Sequence, residues 1–355
     1  MNKVAYLGVI EGFYGKSYNL KKRLDLLDFL RKNAYSFYIY APKTDKNLRS
    51  DLSTVMEEGA IAELNNIGCK CKTLNLDFGL GISPLNLSSS FNLIKDRLLT
   101  RIESYCKRTN ANILALLFDD IKIENSDIGT IQNRIIKEVY DNLPSCVSRM
   151  IVCPSFYSDD PILEKIFGKR PQNYFSELTD NLPFNIDFFW TGSKVLSPDI
   201  TENDITHATK LLGRKPFIWD NYPVNDGKKI SDYLFLSPFN GRKNLYDKVA
   251  GHAVNPMLEM YLSFLPLVTL PLIYKGKSDE LIEKARQETA TELFGSLTSD
   301  FLKNQEFFEK IGLSHMDQKL KENIILSFSN CKTPAAIELI DFLNGVYEFD
   351  PACLT

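Results

Sequence analysis

Asp119 and Asp120 stand side by side at the end of an apolar run, residues 113–118, read Ile-Leu-Ala-Leu-Leu-Phe. A short apolar run without alternation is the pattern of a strand buried on both faces, as in a parallel sheet. Burying an unpaired carboxylate is costly, so two of them directly after such a strand call for an explanation. In α/β sheets and barrels, active sites sit at the C-terminal strand ends. An ordinary explanation competes with this one. Glu57–Glu58, Asp159–Asp160 and Asp279–Glu280 are adjacent acids too, and an Asp after a strand often serves as a turn former or helix N-cap. The other strand ends must decide.

The elements around the pair repeat as strand, loop, helix. Apolar and aromatic runs predict strands at 4–10, 36–40, 72–78, 113–118, 148–153, 186–190, 216–219 and 245–255. Periodic leucines and isoleucines predict helices between them, among others at 20–33, 54–66, 91–109 and 205–212. Eight strands alternating with helices over about 275 residues match the usual size of a (β/α)8 TIM barrel. The first strand-to-helix turn carries no G-x-G-x-x-G, and no phosphate loop follows any strand, so an open dinucleotide-binding sheet is the poorer fit. From residue 278 onward only helices are predicted, at 279–294, 300–312, 317–329 and 334–347, with capping chemistry at Ser278-Asp279 and Thr333-Pro334. The expected organisation is therefore α/β, with a catalytic barrel over 1–277 and an all-helical appendix over 278–355.

Composition narrows the class. The chain has 355 residues, 44% hydrophobic and 25% charged, with net charge −3 and pI about 5.8. No global field recruits nucleic acid or an anionic membrane. The apolar stretch 257–274 is interrupted by Glu259, Pro266 and Pro271, which suits packed helix rather than a membrane span. No signal peptide is legible at the N-terminus. The seven cysteines fit neither a disulfide framework nor a zinc ribbon, so thiols in a reducing cytoplasm are expected. Cys69-Lys70-Cys71 lacks a second pair, and the three histidines are far apart, so neither metal nor cofactor is expected.

The predicted strand ends share a character. They carry Glu11, Gly12, Tyr14, Lys43, Asp119, Asp120, Tyr157, Trp190, Trp219, Asn221, Asp226 and Asn255. Aromatics, carboxylates, amides and one Lys suit a neutral polyhydroxylated ligand, because a sugar offers apolar faces for stacking and hydroxyls for hydrogen bonds. Most glycosidases place two carboxylates ~5 to ~9.5 Å apart across the scissile bond. Adjacent residues do not meet that easily. Their side chains leave a strand on opposite faces, so the chain must bend at Phe118–Asp119 for both to reach one pocket. An adjacent pair suits a substrate that supplies its own nucleophile.

Several segments together resemble the catalytic domain of glycoside hydrolase family 84, the O-GlcNAcases and hyaluronidase-type β-N-acetylglucosaminidases. They are Gly8-Val9-Ile10-Glu11-Gly12-Phe13-Tyr14-Gly15, Tyr40-Ala41-Pro42-Lys43, Leu116-Leu117-Phe118-Asp119-Asp120-Ile121, Cys153-Pro154-Ser155-Phe156-Tyr157, Trp190-Thr191-Gly192 and Trp219-Asp220-Asn221-Tyr222-Pro223-Val224-Asn225-Asp226. The third strand end, Leu76-Asp77-Phe78-Gly79-Leu80-Gly81, departs from the family's pattern. The resemblance implies a retaining mechanism through an oxazoline. By it, Asp119 would hold the acetamido N–H and Asp120 would act as general acid, then general base. Tyr157 and Asn221 would lie by the acetamido group, Trp219 would wall the pocket, and Gly12, Lys43, Asp226 and Asn255 would bind the sugar hydroxyls.

The expected function is removal of terminal β-linked GlcNAc, with O-GlcNAc on Ser or Thr of proteins as one substrate. Two alternatives stand beside it: a hexosaminidase acting on cell-wall or glycosaminoglycan fragments, and a sugar- or protein-binding barrel without catalysis. The expected partner is a GlcNAc-bearing glycan or glycoprotein, with no nucleic acid and no membrane, in a cytoplasmic setting.

Overall fold

The computed structural model describes residues 5–49, 56–84, 91–120, 126–347 and 349–354. Eight parallel strands close into a barrel in chain order: β1 Leu7–Glu11, β2 Phe37–Tyr40, β3 Asp77–Ile82, β4 Ile113–Leu117, β5 Arg149–Cys153, β6 Ile186–Trp190, β7 Phe217–Asp220 and β8 Gly251–Val254. Closure is made where Leu7 pairs with His252. The expected (β/α)8 architecture is the observed one.

Burial explains the strand sequences. All five residues of β4 are buried, because barrel side chains on one face meet and helices cover the other. Each such aliphatic side chain contributes roughly 1.5–3 kcal/mol on full burial. Near the N-terminal end of the barrel, large rings alternate with missing side chains. Phe37 and Phe217 meet edge-on at 5.7 Å, and a Cβ on Gly8 or Gly251 would lie 2.3 or 2.4 Å from those rings. The glycines make room for the phenylalanines that fill the barrel.

Two strands differ from expectation. The third was expected at 72–78, but the helix Glu58–Leu74 runs on and ends at Asn75 in the left-handed conformation, φ 54°. The strand starts only at Asp77, and Gly79 and Gly81, loop signals in the sequence, lie within it. Ile39 and Ala41 occupy the space their side chains would need. Cys69 and Cys71 therefore sit on a helix, one exposed and one buried. The eighth strand, expected at 245–255, is confined to Gly251–Val254. Asn244 and Asp247 adopt left-handed φ of 64° and 62°, which no strand accommodates, and Leu245 is a buried anchor in a loop. The expected starts of the first strand at Val4 and of the 54–66 helix lie outside the described residues.

After the barrel come the helices Asp279–Phe294, Thr298–Glu306, Gln318–Phe328 and Pro334–Leu343. Ser278 and Thr333 cap them as expected, accepting from the backbone N–H of Leu281 and Ala336. These helices are tied to the barrel. Glu338 accepts from the backbone of Tyr261 at 2.7 Å and pairs with Lys22 at 2.5 Å, and Leu234 donates to the Phe308 carbonyl at 3.0 Å. The stretch 257–274 holds two short helices, Phe264–Leu267 and Leu270–Tyr274. Among the described residues no helix is long and apolar enough to cross a membrane.

Candidate active site

Beyond β4 the chain stays paired to β5 for one residue, with Phe118 N–H donating to the Cys153 carbonyl at 2.8 Å. Asp120 then takes a left-handed backbone, φ 56°. Asp tolerates that region better than most residues. The turn lifts the strict alternation of a strand, and both carboxylates line one cavity at the C-terminal end of the barrel. The bend expected at Phe118–Asp119 therefore falls at Asp119–Asp120. The same cavity is lined by Gly12, Lys43, Tyr157, Trp219, Asn221, Asp226 and Asn255. Six strand ends bring together the nine residues to which the resemblance gives roles.

Asp119 is buried, and its two oxygens differ. Oδ2 is held by the buried ammonium of Lys43, whereas Oδ1 has no hydrogen-bond partner among the described residues. Burial alone would raise its pKa, but the charges of Lys43 and Arg49 outweigh that and hold the carboxyl below its ordinary range. It is an ionised acceptor with one oxygen free, and a buried acceptor left empty is expensive unless something arrives to fill it. Asp120 is held differently. Tyr157 Oη donates to its Oδ1 at 3.1 Å and Tyr14 Oη donates to its Oδ2 at 2.7 Å. Burial and the nearby Asp120 push the Tyr157 hydroxyl far above its usual pKa, so it stays a donor.

On the opposite side a hydrogen-bonded chain fixes the wall. Trp219 Nε1 donates to Asn221 Oδ1 at 2.9 Å, Asn255 Nδ2 donates to the same oxygen at 3.0 Å, and Gly12 N–H donates to Asn255 Oδ1 at 3.2 Å. The indole packs on Phe189 at 5.1 Å. A Cβ on Gly12 would lie 2.4 Å from Trp219 Cζ2, so glycine is what lets the first strand end approach this wall. Asp226 accepts from Tyr14 N–H at 2.8 Å. Burial pushes its carboxyl up to about 6.

Two strand-end residues grouped with these from the sequence lie elsewhere. Glu11 is fully buried in an ion pair with Arg23 at 2.8 Å, a strut between β1 and the following helix. Trp190 is 1% exposed and packs at 6.0 Å on Phe175. Other supports carried no sequence signal. Asp220, next to Trp219, is clamped by Arg242 through two bonds of 2.8 Å and by His252 at 3.1 Å. Burial opposes its ionisation, but the Arg242 and His252 partners hold it well below the carboxylate range. Arg242 also donates to the Ser197 carbonyl at 2.8 Å, which fixes the loop bringing Thr191, Val195 and Leu196 to the cavity. Cys153, Val224, Ile230 and Cys353 line it as well. Among the described residues no group of three or more His, Cys, Asp or Glu side chains could hold a metal ion.

The arrangement offers one ionised acceptor, a second carboxylate flanked by two phenols, an aromatic wall and several amides. Comparison with known proteins points the same way. A family model described as beta-N-acetylglucosaminidase matches residues 7–308. The protein O-GlcNAcases of Rattus norvegicus and Mus musculus are each 29% identical over 279 residues, covering 76% of this chain and 30% of theirs. The chain thus spans less than a third of the length of those relatives. Among solved structures, a mutant O-GlcNAc hydrolase of Thermobaculum terrenum superposes with a TM-score of 0.75 at 27% identity, over 96% of this chain and 81% of that one.

Proposed function

The chain belongs to the beta-N-acetylglucosaminidase family, glycoside hydrolase family 84, and from that membership we propose that it removes terminal β-linked GlcNAc with retention, using the acetamido group of the substrate as nucleophile. The observation that carries the mechanism is the unequal Asp119 carboxylate, with Oδ2 on Lys43 and Oδ1 buried without a partner among the described residues. An acetamido N–H satisfies that oxygen. Held there, the amide is polarised and its carbonyl oxygen is directed at the anomeric carbon.

In the first step the carbonyl oxygen bonds to the anomeric carbon as the bond to the aglycone oxygen breaks. Asp120 gives its proton to the departing oxygen. The amide N–H stays hydrogen-bonded to Asp119, which stabilises the positive charge of the oxazolinium. In the second step Asp120 takes a proton from water as the water oxygen bonds to the anomeric carbon, and the ring opens to restore the acetamide. Two inversions give net retention. Tyr157 turns its donor to the acetamido oxygen, Asn221 lies beside it, Trp219 walls the sugar, and Gly12, Lys43, Asp226 and Asn255 take the hydroxyls.

The aglycone we propose is Ser or Thr of a protein, supported by relatives named for O-GlcNAc hydrolysis. The test begins with 4-nitrophenyl β-N-acetylglucosaminide, which the protein should hydrolyse, while Asp119→Asn and Asp120→Asn should each lose roughly 10²- to 10⁴-fold in kcat/KM. The matching β-glucoside, lacking the acetamide, should not turn over measurably. Equal turnover of the two glycosides would refute the mechanism. Release of GlcNAc from muropeptides or hyaluronan fragments but not from O-GlcNAc proteins would refute the proposed aglycone.

A further inference from the structure

Arg49 lies behind the cavity, at the end of the short helix Lys46–Arg49. Its Nη2 donates to Tyr14 Oη at 2.9 Å, and its guanidinium carbon lies 5.2 Å from the centre of that ring. Its Nη1 is buried and without a hydrogen-bond partner among the described residues. No carboxylate of the described residues forms an ion pair with it. A largely buried guanidinium is costly without compensation. Burial works against its charge, while the charges of Asp119 and Asp120, with Tyr14, strengthen its hold on its proton.

The geometry fixes the direction of each hydrogen bond. A guanidinium can only donate, and a phenol has one proton to give. With Arg49 donating to Tyr14 Oη, the Tyr14 proton is committed to Asp120 Oδ2, 2.7 Å away. The Tyr14 backbone is fixed as well, through its N–H to Asp226 at 2.8 Å. Asp120 itself takes the left-handed φ and lies beyond the end of β4, so no strand pairing orients its side chain. We propose that Arg49 is a positioning residue for the proton transfer, holding Asp120 through Tyr14 so that Oδ1 is the oxygen that carries the proton to the leaving group. This rests on the general-acid role proposed for Asp120. When the substrate acetamide draws the Tyr157 hydroxyl away, Oδ1 is released while Oδ2 stays tied to Tyr14 and Arg49. The link gives the carboxyl one fixed and one working oxygen.

The test compares Arg49→Met, Arg49→Lys and Tyr14→Phe on aryl β-N-acetylglucosaminides with 2,4-dinitrophenol, 4-nitrophenol and phenol as leaving groups, with thermal midpoints measured in parallel. A misaligned acid harms a leaving group in proportion to its need for a proton. Arg49→Met should lose roughly 10²-fold in kcat/KM on the phenyl glycoside and little on the dinitrophenyl glycoside, with Arg49→Lys restoring part of the loss. Tyr14→Phe should show the same leaving-group slope, and the double variant should be no worse than the worse single one, because one link is cut once. Tyr14→Phe alone decides the matter if Arg49→Met does not fold. A uniform loss across all three glycosides, an unchanged slope, or additive losses in the double variant would overturn the inference. An active wild type with any of these outcomes sinks the role of Arg49 alone, whereas an inactive wild type sinks the proposed reaction.

Discussion

Gly12→Ala is a perturbation of one methyl group whose consequence can be worked out from the wall it meets. The new Cβ would start 2.4 Å from Trp219 Cζ2 and 2.8 Å from Cη2. Carbon atoms rest about 3.5–4.0 Å apart, so one partner must move by roughly 1.2 Å. The backbone of Gly12 is tied to Ile10 at 2.9 Å and to Asn255 at 3.2 Å, which leaves the indole as the part that yields. The indole is backed by Phe189, so it can move only towards the cavity, breaking its 2.9 Å bond to Asn221. Overpacking of this kind costs about 1–3 kcal/mol of stability, and a shift of about 1 Å in a positioning group can cost 10²-fold in rate. We expect Gly12→Ala to fold with a midpoint a few degrees lower and to lose roughly 10²-fold in kcat/KM on 4-nitrophenyl β-N-acetylglucosaminide. Combining it with Trp219→Phe, which removes the clashing edge, should leave the double variant no less active than Trp219→Phe alone. A kinetically silent Gly12→Ala, or losses that simply add in the double variant, would refute the reasoning.

Three further outcomes follow from buried groups. With its carboxyl raised to about 6, Asp226 gains a proton as pH falls through that value and, losing its charge, becomes a weaker acceptor for a sugar hydroxyl; KM should rise below pH 6 in the wild type and be high and flat in Asp226→Asn, and a flat wild-type KM from pH 5 to 8 contradicts this. Glu259 is fully buried, with Asn225 on one oxygen at 2.9 Å and the other unpartnered among the described residues, and burial pushes its carboxyl up to about 8. From its ordinary value near 4.5 up to about 8, the folded protein holds a proton that the unfolded chain releases. That stabilisation is complete below the lower value and is lost as pH rises through the upper one, by about 1.4 kcal/mol per pH unit between them. Denaturant titrations should therefore show the wild type losing stability from pH 6 to 8 and Glu259→Gln losing less, and parallel curves contradict the assignment. Cys353 lines the cavity rim, whereas burial keeps the thiol of Cys153 far above its usual pKa and so unreactive. N-ethylmaleimide should inactivate the wild type and spare Cys353→Ala, and equal inactivation of both contradicts this.

The sequence was most legible where one physical rule acted alone. β4 and β5 were readable because a strand buried on both faces must be apolar throughout, and their polar ends stood out against that. Strand-end reasoning picked out twelve residues and the family resemblance gave nine of them roles; those nine line one cavity because a parallel barrel collects the C-terminal ends of its strands on one side. Rules in competition were harder to read. Gly79 and Gly81 signal a loop by propensity, yet they lie in β3 because Ile39 and Ala41 fill the space beside them. Trp190 and Trp219 end neighbouring strands with the same residue type, and only packing on Phe175 or Phe189 decides which of them faces the cavity. The supports were not legible at all. Arg242 reaches Asp220 across 22 residues, and Arg49 reaches Tyr14 across 35. Neither sits in a pattern of period 2 or 3.6, and only the closed fold brings them to their partners.

The central claim is that the substrate supplies the nucleophile and Asp119 aims it. The most direct measurement is kcat/KM on aryl β-N-acylglucosaminides whose acyl methyl carries zero, one, two or three fluorines, with the leaving group held constant. Each fluorine weakens the carbonyl oxygen as a nucleophile while changing the size of the group little. Participation of that oxygen predicts a steep, monotonic fall in rate across the series in the wild type, and a shallower one in Asp119→Asn. Rates independent of fluorine number would contradict the account, because they would place the nucleophile on the protein.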